Sequence, residues 1–410
     1  MLNRAVPYAV VWSFVAATSA PADVIGDWNE KAVGFVTARN VPPPQAERAM
    51  AMVHAAMFDA VNSVDRRYLP VVTQTPSPAT ASREAAAATA AGGVLVGLYP
   101  GALELKNTVA AYLVTLPDGD AKAAGIRLGE AVAARVLDAR VDDGSQAPDA
   151  YRPKTQAGVY VPTPITIGST WPNLKPFVLT SASQFRPQPP PALGGAQWGA
   201  DYNEVKQLGG RTSTMRSAWQ TEDARFWLAP GPNIYYPVVR QIAAAKQLEL
   251  IDSARFMALV ALARNDAFVA VFDAKYHYEF WRPITAIRNG DTDNNPATER
   301  DATWQPFDVT PMHPEYPCAH CIMSGVIAGV VEELFGTADV PELTLTSPTA
   351  PGVTHHWTNM WVLADEVAQA RIWAGFHYRF STKVGQDMGR RIGQYAVKTM
   401  MQPASSSSAR

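Results

Sequence analysis

Cysteine is scarce in this chain. Its 410 residues include two, and both lie in one tetrapeptide, Cys318-Ala319-His320-Cys321. Two thiols leave a zinc knuckle two ligands short, and recruiting His313 and His320 would consume the one imidazole at that turn. Net charge is also scarce: the formal value is −2, which gives no bulk attraction to nucleic acid or to an anionic membrane. Long apolar runs are confined to the start, where "AVPYAVVWSFVAATSA" follows Arg4. That run is shorter than the ~20 residues a spanning helix needs. No later segment is an uninterrupted apolar span, so the mature chain reads as soluble, with no membrane span. Alternating strand patterns are nearly absent.

What is present is a globular composition, 47% hydrophobic and 18% charged, in a chain long enough for a large core. The basic start, short apolar stretch and small-x-small site at Ala20-Pro21-Ala22 describe a signal peptide over residues 1–22. The protein would then be exported, periplasmic or secreted, where a disulfide can form. Helical patterning dominates the remainder. "VPPPQAERAMAMVHAAMFDAVNSV" opens with prolines and places Met50, Val53, Met57, Ala60 and Val61 on one face, with His54 among them as a packed core residue.

From Gly144 to Leu193 proline-rich segments interrupt the helices. Tyr151, Tyr160, Trp171, Phe177 and Phe185 suit a segment wrapped over a bundle better than a flexible linker. The reading is all-α. Residues 23–193 form a helical half with the wrapping segment, 194–403 a second helical half, and 404–410 a disordered tail. Long helical faces and the aromatic wrap are compatible with a homodimer.

Three stretches carry chemistry. In "KYHYEFWRP", Lys275 and Arg282 stand seven apart, about two helical turns, so one helix would aim both at an anion before Pro283 ends it. In "PCAHCIMSGVIAGVVEELFG", Cys318, Ala319 and His320 occupy the first turn of an apolar helix, where free N–H groups and the dipole favour an anion. In "ARIWAGFHYRFSTKVG", Arg371 adds a third cation, and a break at Gly375 brings His377 to the same pocket. Three cations and two imidazoles suit a tetrahedral oxyanion. The Cys318–Cys321 spacing at a helix start also allows a disulfide, and His355 and His356 read as surface loop residues.

Lys-x6-Arg-Pro, then Pro-x-x-His, then Arg-x5-His resembles the bacterial vanadium-dependent haloperoxidases and the related phosphatidic-acid-phosphatase-type acid phosphatases. "DWNEKAV", "FRPQPPPALGGAQWGADYNEVKQLG" and "DAKYHYEFWRPITAIR" extend the likeness over most of the chain. The resemblance implies a helical bundle of that type and vanadate as cofactor, with phosphate able to occupy the same site. His377 would hold the vanadium or serve as a phosphoryl nucleophile. Lys275, Arg282, Arg371, Cys318 and the Ala319 N–H would bind oxygens, His320 would move protons, and Lys275 would polarise the reacting group.

Hydrogen peroxide, a halide and an organic acceptor would be the partners. Acid phosphatase and a catalytically impaired anion-binding homologue are the alternatives. Two positions depart from the family. Cys318-Ala319 replaces Ser-Gly, at a cost of about 1.5–3 kcal/mol for a lost donor to a charged group. Ser381 replaces an Asp that would orient His377.

Overall fold

The computed structural model describes residues 23–404; the segment read as a signal peptide and the tail beyond Ala404 lie outside them. Helices α1 (Val24–Ala38), α2 (Pro43–Asp65), α3 (Arg83–Leu98), α4 (Leu103–Val114) and α5 (Asp120–Asp138) make up the first half. Pro43 and Pro44 open α2 at the positions where a missing N–H costs nothing. His54 is fully buried there, and Asn29 Nδ2 meets its Nε2 at 2.8 Å.

Residues 144–193 contain only a short 3₁₀ turn, Trp171–Asn173, and lie against the long helix that follows. The backbone N–H groups of Phe177, Val178 and Leu179 all donate to the buried Asp266 carboxylate. Trp171 and Tyr160 are buried, so the segment is anchored at both its backbone and its aromatics.

The second half contains α6 (Ala196–Leu208), α7 (Ala218–Phe226), α8 (Pro232–Ala245), α9 (Leu250–Tyr278), α10 (Pro283–Arg288), α11 (Ala319–Phe335), α12 (Met360–Trp373) and α13 (Arg379–Thr399). The all-α expectation holds except for one antiparallel hairpin, β1 (Asp339–Ser347) with β2 (Ala350–Asn359). Its Leu343 and Leu345 point inward from an alternating Leu-Thr pattern. The largest hydrophobic cluster draws on residues from Val24 to Met401, with α9 packed between α2 on one side and α11 and α13 on the other. No helix among the described residues is long and apolar enough to cross a membrane.

Helix α9 does not carry Lys275 and Arg282 on one face, as the spacing suggested. It stops at Tyr278, because Glu279 turns left-handed (φ 48°) and closes its N–H onto Lys275 O. Arg282 is extended and caps α10, whose first residue is Pro283. A turn rather than a continuous helix brings the two cations together.

Candidate active site

The site forms where three helix ends meet. Lys275 comes from the last turn of α9, His320 from the first turn of α11, and His377 from the connection between α12 and α13. Gly375 makes that connection possible. Its φ is +78°, and a Cβ there would lie 2.4 Å from Gly209 O, so only glycine fits. The chain reverses after Arg371, and His377 N returns to Arg371 O at 3.3 Å.

A cavity of about 510 Å³ opens onto these groups, and Ala319, His320, Arg371, His377 and His313 are among the residues on its wall. Lys275 lies beneath it, completely buried, with Nζ donating to Pro314 O (2.9 Å) and Glu315 O (2.7 Å). Arg282 is equally buried. It donates to Phe376 O at 2.9 Å, and its Nη1 sits 3.3 Å from His377 Nε2. Arg371 donates to Trp227 O at 2.6 Å, while its Nε has no protein partner.

Two residues central to the site went unread in the sequence. Glu315 accepts from His377 Nδ1 at 2.7 Å and from Tyr378 N at 3.1 Å. It supplies the orienting carboxylate that Ser381 could not, from two residues upstream of Pro317 rather than four residues after His377. Holding the proton on Nδ1 leaves the lone pair on Nε2, where it accepts from Arg282 Nη1 and is available to a ligand that displaces that contact. Arg264 is the other: it pairs with buried Glu47, Nε to Oε2 at 3.2 Å, lines the cavity, and has a buried Nη1 without a partner. A single Arg inside the apolar run "LVALARNDAF" was the available signal.

Cys318 stands apart from the oxyanion role read for it. Its sulfur is bonded to Cys321 and accepts the Cys321 N–H at 3.2 Å as the cap of α11. It therefore has no S–H to donate, and it packs with Cys321 and Ala368 away from the cavity.

Burial and crowded positive charge set the protonation states. His320 is held well below the ordinary imidazole range by burial first, then by Arg371, Arg264, Arg282 and Lys275. His377 and His313 are depressed in the same way. Burial also lowers Lys275, with Arg282 adding to it and Glu315 opposing. Arg282 and Arg371 fall to about 10, mainly by burial. Burial lifts Glu315 to about 7 against the pull of Lys275, Arg282 and the adjacent Ser381 hydroxyl. The result is two buried guanidinium groups and a lysine whose charge burial opposes, around neutral imidazoles and a carboxyl poised near neutrality, an arrangement that an arriving anion would stabilise.

Comparisons with known proteins place similar sequences and folds beside this chain. Residues 255–406 match the VCPO second helical-bundle domain. The chain is 26% identical to vanadium chloroperoxidase of Curvularia inaequalis over 466 residues, covering 84% of this chain and 76% of that protein. Its fold is similar to the crystal structure of a bacterial vanadium-dependent iodoperoxidase, with a TM-score of 0.78, 24% identity, and coverage of 92% and 97% of the two chains. A holo-type bacterial vanadium-dependent chloroperoxidase matches with a TM-score of 0.68 at 16% identity, covering 93% of each chain.

Proposed function

Because this chain is of the vanadium haloperoxidase type in sequence and fold, we propose that it oxidises halide with hydrogen peroxide, using vanadate held by His377. The observation that carries the reading is the Glu315–His377 bond, which leaves Nε2 as a ligand atom facing a cation cluster. The residues fit a tetrahedral oxyanion: Arg371 Nε is buried without a partner, and three buried cations face one buried carboxylate. Lys275, Arg282, Arg371 and the Ala319 N–H would hold its oxygens, and His377 Nε2 its metal.

When bound, vanadium supplies Lewis-acid activation of hydrogen peroxide toward halide. His320 is neutral before the anion arrives, so it can accept the proton that peroxide gives up. Tyr235 keeps its own proton, since burial raises its pKa. Its hydroxyl donates to His320 O (3.3 Å) and accepts from His320 Nδ1–H (3.2 Å), which keeps the imidazole proton on that edge of the ring. His320 Nε2 is then the nitrogen left for proton transfer. Lys275, anchored by two carbonyls, has one remaining N–H to polarise the reacting oxygen.

Phosphate-ester hydrolysis is the second reading. It is favoured by Glu315, which provides the carboxylate–histidine pair that a phosphohistidine route needs. Export is part of the proposal as well, supported by the residue 1–22 pattern and by the Cys318–Cys321 disulfide.

The test assays phosphate-free protein for iodide and bromide oxidation with and without orthovanadate, beside His377→Ala and a phosphate-ester assay. Halide oxidation that needs vanadate and disappears in His377→Ala supports the peroxidase. Ester hydrolysis inhibited by vanadate, without halide oxidation, replaces it with the phosphatase.

A further inference from the structure

A second cluster of ligating groups lies behind Arg371, where α7, the hairpin and α12 meet. Asp223 comes from the last turns of α7, His355 from β2 and Glu366 from the middle of α12. One ligand atom from each lies within 4.8 Å of the others. His355 Nδ1 is 2.6 Å from Glu366 Oε1 and 3.9 Å from Asp223 Oδ1.

Asp223 is the unusual member. It is completely buried, and neither carboxylate oxygen has a hydrogen-bond partner. Buried carboxylates are ordinarily paired, hydrogen-bonded or bound to metal. Glu366 is fixed by the indole N–H groups of Trp227 (3.0 Å) and Trp357 (2.8 Å), and Phe226 stacks on the His355 ring at 4.0 Å. Burial first, and then the neighbouring Glu366, push Asp223 up to about 9.

We propose that Asp223, His355 and Glu366 bind one divalent cation of the zinc class, with water completing its coordination. One imidazole nitrogen and two carboxylate oxygens are a donor set that zinc accepts. His355 can ligate through Nδ1 only if its proton sits on Nε2. In the ion-free chain the 2.6 Å contact with Glu366 holds a proton on Nδ1, and the ion would displace it to Nε2 as it separates the two ligands; Glu222 Oε1, 4.0 Å from Nε2, comes within hydrogen-bond reach by a side-chain rotation.

The ion would tie α7, the hairpin and α12 together. It would also reach the active site through Trp227, which donates its indole N–H to Glu366 and accepts from Arg371 through its carbonyl.

The competing arrangement is a proton shared between Asp223 and Glu366. To separate them, the full chain is treated with chelator, desalted, and titrated with Zn²⁺ by calorimetry in the absence of vanadate. Asp223→Asn and His355→Gln are titrated alongside, with His377→Ala as a control for binding at the other histidines. The expected result is one Zn²⁺ per chain, at least tenfold weaker in the first two variants and unchanged in the control. Chelation should also lower the Tm of the unsubstituted chain, a readout that requires no variant to fold. No stoichiometric binding together with a chelator-insensitive Tm would overturn the proposal, as would binding that survives both substitutions. A rise in metal-free Tm in Asp223→Asn without any ion binding would assign the cluster to the shared proton and likewise overturn it.

Discussion

Glu315 is in conflict with stability and in accord with function. Burial lifts its pKa from 4.5 to about 7, so the folded chain holds this proton more tightly than the unfolded one. Stability is therefore lost as pH rises from 4.5 through 7, by about 3 kcal/mol in total. Glu315→Gln removes that loss but also removes the anionic acceptor of His377 Nδ1. We predict a higher Tm at pH 8 for the anion-free variant, together with vanadate affinity weakened roughly 10–100-fold. A calorimetric Kd unchanged from the parent would show that Glu315 does not orient the ligand. At this scale, the convergence of Lys275, Arg282, His320, Arg371 and His377 was legible, because Pro, Gly and charged residues at fixed spacings mark helix ends. Glu315 was not legible, since its partner is 62 residues away and no local spacing connects them.

Between elements, the site depends on how closely α11 and α13 approach. Gly385, Gly389 and Gly393 on α13 face backbone carbonyls of Cys318, Ile322 and Val326, and a Cβ on Gly389 would lie 2.3 Å from Ile322 O. Gly325 and Gly329 return the contact from α11. Gly389→Ala should push the helices apart and destabilise the protein by about 1–3 kcal/mol. It should also displace His320 from His377, read as a lower Tm with a fall in kcat. A Tm within a degree of the parent would mean that the interface yields without strain. The four-residue glycine spacing is visible in the sequence, but without the partner helix it implies no distance. The single helix read through Lys275 and Arg282 failed for a related reason: Glu279 takes a left-handed conformation for which no glycine or asparagine gave warning. The hairpin was readable from Leu343-Thr344-Leu345-Thr346, but the helical texture on either side obscured it.

Across the whole molecule, buried imidazoles set the acid limit. His54 is depressed to about 3, by burial first and then by Arg240, and His313, His320 and His377 fall well below 6.5. As pH drops below 6.5, the unfolded chain takes up these protons before the folded chain does. The stability they contribute is complete above 6.5 and is lost below it. Buried carboxyls oppose this, since burial raises Glu315, Asp59 and Asp223 to about 7, 6 and 9, so the imidazole contribution is read as a difference between variants. We predict that the Tm of His54→Gln rises relative to the parent as pH falls from 6.5 to 4.5, and a constant difference would contradict the burial of a neutral His54. The fold class was legible at this scale from proline placement, helical periodicity and the absence of strand patterns. The single core shared by both halves was signalled only by the aromatics of the wrapping segment, because periodicity gives the faces of helices but not their partners.

The central claim is that His377 Nε2, oriented by Glu315, is the ligand atom of an oxyanion-bound vanadium. X-ray absorption at vanadium, on phosphate-free protein loaded with one equivalent of orthovanadate, tests it most directly. The account predicts a nitrogen neighbour on vanadium in the parent chain that is missing in His377→Ala. Vanadium surrounded by oxygen alone in the parent, or an identical spectrum in both proteins, would contradict it.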